Sequence, residues 1–354
     1  MNTGCANCGA CSTCCHCQRC NACARIGTNH TCGNCTTCCV CRGRGHRINA
    51  PTPRSYGAAW EAKHPSSRKS FACSRMVGVE WEYNRADTVA PINSWASKWN
   101  SKIIHDGSCG MEVVTAPMAG DFIEKALTEL GSSFKKAGAT ANAQCGIHVH
   151  VDAHDVAWSD MYRLLATYAH IEPLLYLLAG QERMTNQYCK SCGPEYREAL
   201  NHETDRKNAV LSIALGYGLA NSGKQNMRNG CDKKGGGRYR GLNIMPWLAG
   251  RKFRAPDTTV EFRIHGNSLD SKQVVGWTKV CARLVDWVTK SSDSDFSKLP
   301  KSALRALCEV IAPDCKEWIL NRINTWRSTT SIPKRKKSRK TPRLIKFKCG
   351  SCAV

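Results

Sequence analysis

Residues 145–151 read Cys-Gly-Ile-His-Val-His-Val, with apolar and polar side chains in alternation. Two other segments share this pattern, Gly-Val-Glu-Trp-Glu at 78–82 and Thr-Val-Glu-Phe-Arg-Ile at 259–264. A period of two predicts β-strands whose polar side chains lie on one face. Carboxylates and imidazoles on sheet faces are what a divalent cation and a phosphate group need. The three segments therefore predict a sheet that carries a metal and phosphate site.

The polar face of each predicted strand presents one pair of residues: Glu80 with Glu82, His148 with His150, and Glu261 with Arg263. Two carboxylates on one strand face repel each other unless a cation lies between them. A His-x-His pair can also bind zinc, and a neighbouring Glu and Arg can form a simple ion pair. The pairs thus predict a polar site without naming its metal.

Further polar residues lie in weaker contexts. Asp106 opens an Asp-Gly-Ser turn that leads into a predicted strand at 110–115, which carries Glu112. Cys189-x-x-Cys192 is most simply a pair of loop thiols, although a metal could also bind there. By their local sequence alone, none of these residues has more than a weak functional signature.

The spacing of apolar residues predicts an α+β domain with an antiparallel or mixed sheet. Strands are expected near 77–83, 110–115, 146–152, 239–244 and 259–265. Helices are expected near 121–137, 158–179, 196–217, 270–290, 302–311 and 316–327. These elements divide the chain into a Cys-rich module (1–45), a linker (46–72), a catalytic-type domain (73–327) and a basic tail with a terminal C-x-x-C (328–354).

The N-terminal module repeats itself, because CGACSTCCHC at 8–17 returns as CGNCTTCCVC at 32–41. It has almost no large apolar residues, so bound metal would have to supply its folding free energy. Repeated C-x-x-C pairs favour structural zinc over a disordered, redox-labile tail. The expected thiolate ligands are Cys5, Cys8, Cys11, Cys14, Cys15, Cys17, Cys20, Cys23, Cys32, Cys35, Cys38, Cys39 and Cys41.

The formal charge of the 354-residue chain is +23, which favours attraction to polyanions. Residues 333–348 contain nine Lys or Arg and no acid, so the tail is expected to bind nucleic acid without sequence preference. No apolar run is long enough to span a bilayer, and no secretory signal is visible. We therefore expect a cytoplasmic protein (in a host cell if phage-encoded), or one carried in a virion.

Taken in order, the polar segments resemble the phage and bacterial amidoligases, a carboxylate–amine ligase family related to glutamine synthetase and glutamate–cysteine ligase. The matching stretches are GVEWE at 78–82, DGSCGMEVVTAP at 106–117, CGIHVHV at 145–151, the region of Arg183, YRGLN at 239–243 and TVEFRIHGNS at 259–268. The resemblance implies a glutamine-synthetase-like fold with active-site residues on its strands. It does not cover the Cys-rich module or the basic tail.

The resemblance also implies roles for individual residues. The Mg²⁺ ligands around ATP would be Glu80, Glu82, Glu112, His148 and Glu261. His150 would contact the nucleotide phosphates, and Arg263 and Arg240 would stabilise the transferring phosphoryl group. Asp106 and Arg183 would lie on the substrate side. The implied reaction activates a carboxylate as an acyl phosphate, which an amine then converts to an amide or isopeptide bond of a peptide or protein.

Two alternatives belong to other functional classes. The first is a zinc-containing nucleic-acid-binding or virion-associated protein on a catalytically inactive ligase scaffold, an interpretation that the net charge and the two terminal segments favour. The second is a zinc hydrolase that uses His148 and His150, but no His-rich helical motif accompanies them. Four acids on the strands of a basic protein favour the ligase.

Overall fold

An antiparallel sheet of six strands forms the centre of this computed structural model, which describes residues 75–202, 205–216, 239–253 and 258–329. The strands are β1 (Val77–Tyr83), β2 (Lys102–Asp106), β3 (Gly110–Val114), β4 (Gly146–Asp152), β5 (Leu242–Asn243) and β6 (Thr259–Gly266). Their spatial order is β2-β3-β1-β4-β6-β5. The described fold is therefore α+β, as the alternating segments predict.

Helices make up most of the remaining described chain. They are α1 (Ala90–Lys98), α2 (Asp121–Lys136), α3 (Trp158–Ala179), α4 (Gly193–His202), α5 (Arg206–Gly216), α6 (Met245–Phe253), α7 (Ser271–Lys290), α8 (Asp293–Ser297), α9 (Ala303–Arg305) and α10 (Lys316–Thr329). Short 3₁₀ turns lie at Gln181–Thr185 and Pro313–Cys315, and a π turn follows α9 at Ala306–Ile311. None of the helices that the structure describes has the length and apolar character of a membrane span.

Alternation along the strands separates the two faces of the sheet. Trp81, Val149 and Phe262 are fully buried on the apolar face of β1, β4 and β6. Phe134 of α2 meets the Trp81 ring edge-on, with 5.1 Å between the ring centroids. Tyr168 of α3 approaches Phe262 at 6.3 Å. Because the helices cover this face, the alternate polar residues are left to the opposite face.

A register shift between β4 and β6 moves His265 to the apolar face of the sheet. Val149 lies opposite Phe262, but Ile147 lies opposite His265, so an irregularity falls between the two pairs. His265 is fully buried beside the Trp277 ring, at 5.6 Å between centroids. Burial lowers the pKa of His265 to about 3, which keeps its imidazole neutral. This histidine therefore belongs to the core rather than to the polar face.

The sequence patterns do not predict four of the described elements, which are β2, α1, α6 and α8. β2 pairs with β3 only, and its sequence, Lys-Ile-Ile-His-Asp, has no apolar alternation because it is a largely exposed edge strand. α1 has Pro91 in its first turn and few strong helix formers. Tertiary contact stabilises α1, since Trp95 donates an indole hydrogen bond of 2.8 Å to the Ala126 carbonyl of α2.

Two predicted elements have different bounds. The single helix expected at 196–217 is two helices, α4 and α5, and Asp205 caps the second by accepting a 2.7 Å bond from the Asn208 amide. The strand expected at 239–244 is reduced to the two residues of β5. The other predicted strands and helices lie close to their expected positions.

The terminal segments of the predicted domain organisation lie outside the described residues. This applies to the Cys-rich module at 1–45 with all thirteen of its candidate zinc ligands, to the linker at 46–72, and to the basic tail from residue 330 onward. Zinc binding by the module and polyanion binding by the tail stay predictions.

Replacing Phe134 tests the packing between α2 and the sheet. Phe134→Ala leaves a cavity beside Trp81 and Tyr83, whose ring centroid lies 5.2 Å from that of Phe134. The expected loss in the free energy of unfolding is about 3–5 kcal/mol, measured by chemical denaturation. Leu320→Ala is the control, because Leu320 is 37% exposed. An equal, small loss in both variants would contradict this packing.

Candidate metal and phosphate site

The antiparallel register brings polar residues from three central strands side by side. Glu80 of β1 lies directly opposite His148 of β4, and His150 of β4 lies opposite Glu261 of β6. Residues that face each other in this way have side chains close enough to interact. Glu80 and Glu261 thus lie on the two strands that flank β4, although about 180 positions separate them in sequence.

The side chains of these four residues form a close group. Glu80 Oε2 lies 2.8 Å from His148 Nδ1, and Glu80 Oε1 lies 3.2 Å from His150 Nε2. Glu261 Oε1 is 3.7 Å from His150 Nε2 and 3.8 Å from His148 Nδ1. One ligand atom each from Glu80, His150 and Glu261 lies within 4.8 Å of the other two. This is an arrangement that a single metal ion can bridge after small side-chain movements.

Opposite charges stabilise one another in this group. Burial opposes ionisation of Glu80, but His150 and His148 hold the pKa of its carboxyl well below the usual range. Burial would lower the pKa of His150, but Glu261 and Glu80 outweigh it and raise that pKa to about 9. His150 thus supplies positive charge to this group.

Glu261 is held from the side of β6 and β5. It pairs with the Arg263 guanidinium on the same strand, and its Oε2 accepts a 2.7 Å hydrogen bond from Asn243 Nδ2. Burial opposes ionisation, but Arg263 and His150 keep the pKa of Glu261 below its ordinary value. Asn243 had no predicted role beyond its place in the YRGLN segment, and its function follows only from the β5–β6 pairing.

Negative charge accumulates on the β1–β3 side of the site. Glu82 lies opposite Glu112 in the register of these strands, and both are buried. Burial, with help from Glu80, Glu82 and Asp106, raises the pKa of Glu112 to about 8. Within the described chain Glu112 forms no ion pair. This concentration of carboxylates is what a bound divalent cation would relieve.

Arg183 and Asp106, predicted on the substrate side, and Arg240, predicted at the transferring phosphoryl group, lie in different surroundings. Arg183 follows α3 in a 3₁₀ turn and is buried, with Nη2 3.4 Å from the Arg263 carbonyl and Nε without a partner in the described chain. Arg240 lies just before β5, where its backbone bridges to Lys190. Asp106 ends β2 and lies beside Glu82 and Cys109, at the β1–β3 end of the site.

Gly146 is the point of closest approach in the site. A β-carbon built at this position would lie 3.0 Å from Arg183 Nη2, 3.3 Å from His148 Nε2 and 3.6 Å from Glu82 Oε2. The Gly146 amide donates a hydrogen bond to the Glu82 carboxylate. Glycine thus lets an arginine, an imidazole and a carboxylate share one narrow space. Arg183 therefore lies beside the carboxylate–imidazole group, although nothing in its local sequence indicated this.

Cys189 and Cys192 are a pair of structural thiols. The Cys189 thiol donates to the Arg183 carbonyl at 3.3 Å, and the Cys192 thiol donates to Glu172 Oε1 at 3.3 Å. Burial raises the pKa of both thiols. The potential metal groups of the described chain include neither of them. The simpler of the two interpretations of this C-x-x-C, a loop thiol pair, fits these contacts.

Comparison with protein families gives a match over most of the chain. The family described as "Putative amidoligase enzyme" matches residues 59–285, well over half of the chain. The matched range contains the whole sheet and every polar residue of the site described above. A search of curated proteins finds no match to this sequence.

The raised pKa of Glu112 predicts a pH-dependent stability in the absence of divalent cations. The folded-state pKa of Glu112 is about 8, above the ordinary value of a glutamate. The contribution of Glu112 to the free energy of unfolding is therefore fully present below that ordinary value, and it is lost as the pH rises through 8. Glu112→Gln stays neutral at every pH. Relative to the native chain, the variant should gain on the order of 1–3 kcal/mol in unfolding free energy between pH 6 and pH 9.

Chemical denaturation in a chelating buffer at the two pH values measures this difference. The control is Glu309→Gln, since the Glu309 side chain is 44% exposed in an ion pair with Arg305. Equal effects of Glu112→Gln at pH 6 and pH 9 would contradict a raised pKa at this position.

Proposed function

The chain belongs to the amidoligase family, and from this premise we propose that it is an ATP- and Mg²⁺-dependent carboxylate–amine ligase. Family membership supports a ligase-type activity. The observation that carries the finer proposal is the convergence of Glu80, His150 and Glu261 within 4.8 Å on three strands of one sheet. A ligase that uses ATP needs such a group to hold metal ions against the phosphates.

The donor set fits Mg²⁺. The ion prefers oxygen ligands, and the proposed set of Glu80, Glu82, Glu112 and Glu261 is made of carboxylates, with His148 as a nitrogen ligand beside them. The raised pKa of Glu112 supports this fit, because a carboxyl that resists ionisation among other acids gains most from a cation. When bound, Mg²⁺ would neutralise charge on the phosphate oxygens of ATP.

Cationic side chains would serve the transferring phosphoryl group. Arg263 has a planar guanidinium that can bind two phosphate oxygens at once, and in the free protein it is held by Glu261. His150 carries positive charge at neutral pH and would contact the nucleotide phosphates. We propose a similar contact for Arg240, whose backbone leads into β5 beside β6.

The substrate carboxylate is proposed to bind on the side of Arg183 and Asp106. The Arg183 guanidinium is buried beside Gly146, and its Nε has no partner in the described chain. A buried donor without a partner is costly, and an anionic substrate group would satisfy it. Arg183 thus has the charge and the free donor that carboxylate binding requires.

The proposed reaction has two steps. An oxygen of the substrate carboxylate attacks the γ-phosphorus of ATP, the bond to the β-phosphate oxygen breaks, and ADP leaves. The nitrogen of an amine then attacks the acyl carbon, inorganic phosphate leaves with the C–O bond electrons, and the nitrogen loses a proton as the amide forms. A carboxylate is a poor acyl donor until it is phosphorylated, and this explains the need for ATP.

The remaining proposals concern the substrates and the terminal segments. A peptide or protein carboxylate and amine are the proposed substrates, on a glutamine-synthetase-like form of the α+β fold. The Cys-rich module would bind structural zinc, and the basic tail would attract nucleic acid. The competing proposal, an inactive scaffold that binds nucleic acid, predicts no Mg²⁺-dependent use of ATP.

Three substitutions test the proposed function. Glu80→Gln and Glu261→Gln keep the side-chain shape but remove a charge, so the affinity for Mg²⁺-ATP should fall about 10- to 100-fold. Arg263→Lys keeps the charge but loses bidentate geometry, so it should impair phosphoryl transfer more than ATP binding. Titration calorimetry measures the affinity, and release of ADP measures phosphoryl transfer.

Glu309→Gln is the matched control, since it removes an exposed carboxylate outside the site. Its Mg²⁺-ATP affinity should equal that of the native chain. If Glu80→Gln and Glu261→Gln bind Mg²⁺-ATP as the native chain does, the ligase proposal is wrong. The inactive-scaffold alternative would be favoured if the native chain binds nucleic acid but not Mg²⁺-ATP.

A further inference from the structure

Two sets of contacts hold Arg263, the arginine proposed to bind the transferring phosphoryl group. In the first set, its Nη1 pairs with Oε1 of Glu261. In the second set, its Nε donates a 3.3 Å hydrogen bond to the Tyr188 carbonyl, and its guanidinium carbon lies 5.9 Å from the centroid of the Tyr239 ring. The two tyrosines have no part in the proposed ligase chemistry, although both contact its central arginine.

Tyr188 and Tyr239 lie on two segments that pair with each other beside β6. The Lys190 amide donates to the Tyr239 carbonyl at 2.9 Å, and the Gly241 amide donates to the Lys190 carbonyl at 2.8 Å. The Gly241 carbonyl in turn accepts a 3.0 Å hydrogen bond from the Arg263 amide. The two tyrosine rings meet edge-on, with 5.3 Å between their centroids. Backbone and ring contacts thus fix the Tyr239 ring beside the strand that carries Arg263.

The contact between Arg263 and Glu261 competes with metal binding. The oxygen of Glu261 that pairs with Arg263, Oε1, also lies 3.7 Å from His150 Nε2, within the proposed metal site. A cation bound at this oxygen would repel the guanidinium. Release of Nη1 would leave Nη1 and Nη2 for a bidentate phosphate contact, while Nε keeps its bond to the Tyr188 carbonyl. The second set of contacts is therefore the one that can hold Arg263 in the loaded site.

We propose that Tyr239 is a positioning residue for Arg263, and that its ring holds the guanidinium in place for the transferring phosphoryl group. A guanidinium within about 6 Å of an aromatic centroid is attracted to the negative face of the ring. Because the Tyr188 carbonyl holds Nε and the ring holds the central carbon, the two contacts limit rotation of the planar group. The inference rests on the proposed function, since it assigns a role at the same phosphoryl site.

Calorimetric titration of the full chain with Mg²⁺-ADP, in the presence and absence of aluminium fluoride, tests this proposal. Aluminium fluoride beside ADP mimics the transferring phosphoryl group, so the affinity gained by adding it measures the contact with Arg263 separately from nucleotide binding. Tyr239→Leu removes the ring and should reduce this gain about 5- to 30-fold. The affinity for Mg²⁺-ADP alone should stay within about twofold of the native value. Tyr239→Phe keeps the ring and should keep the gain.

Tyr162→Leu is the matched control. The Tyr162 ring lies 5.4 Å from the guanidinium carbon of Arg206, so this variant loses the same kind of contact between α3 and α5, outside the site. It should keep the native gain. Tyr239→Met is a second variant without a ring, and it should show the same loss as Tyr239→Leu. In an Arg263→Lys background, Tyr239→Leu should cost less than in the native chain, because an ammonium has no planar face to stack on the ring.

Three results would overturn the inference alone. The first is a native gain in both ring-free variants, and the second is an equal loss in Tyr239→Phe and Tyr239→Leu. The third is an equal cost of Tyr239→Leu with Arg263 and with Lys at that position, since the ring would then not act through the guanidinium. Failure of the native chain to bind any Mg²⁺-nucleotide would overturn the proposed function, and this inference with it.

Discussion

The close approach of buried carboxylates across the central strands is the constraint on which the site depends. Antiparallel pairing holds Glu80, Glu82, Glu112 and Glu261 on one face, and the register leaves them no freedom to separate. On the β6 side, histidines and Arg263 balance this charge, so Glu261 stays ionised. On the β3 side Glu112 forms no ion pair within the described chain, and burial together with the neighbouring acids raises its pKa to about 8. Bound cations would therefore relieve the repulsion among these carboxylates most at the β3 end of the site.

Burial of the apolar face of the sheet stabilises the fold and offsets the cost of this arrangement. Trp81, Val149 and Phe262 alternate with the charged residues on the same three strands and pack under α2 and α3. A slip of one residue in any strand would exchange the two faces, which would bury charge against the helices. The register that assembles the site is therefore the register that the core requires. The site and the core are two consequences of one pattern.

Alternating sequence predicted the three central strands and the face that each polar residue occupies. It did not predict β2 or α1, because an exposed edge strand and a helix held by Trp95 have little pattern of their own. Arg183 and Asn243 reach the site through long-range pairing, and local sequence carries no signal for such contacts.

The central claim is that the strand carboxylates hold the metal ions of a nucleotide site. Anomalous diffraction from crystals grown with Mn²⁺ and a non-hydrolysable ATP analogue tests it most directly, since Mn²⁺ favours the same carboxylate ligands as Mg²⁺. The account predicts an anomalous peak between the carboxylates of Glu80 and Glu261, with the γ-phosphate of the analogue beside Arg263. An analogue bound with its metal elsewhere on the protein, and no peak between these two carboxylates, would contradict it.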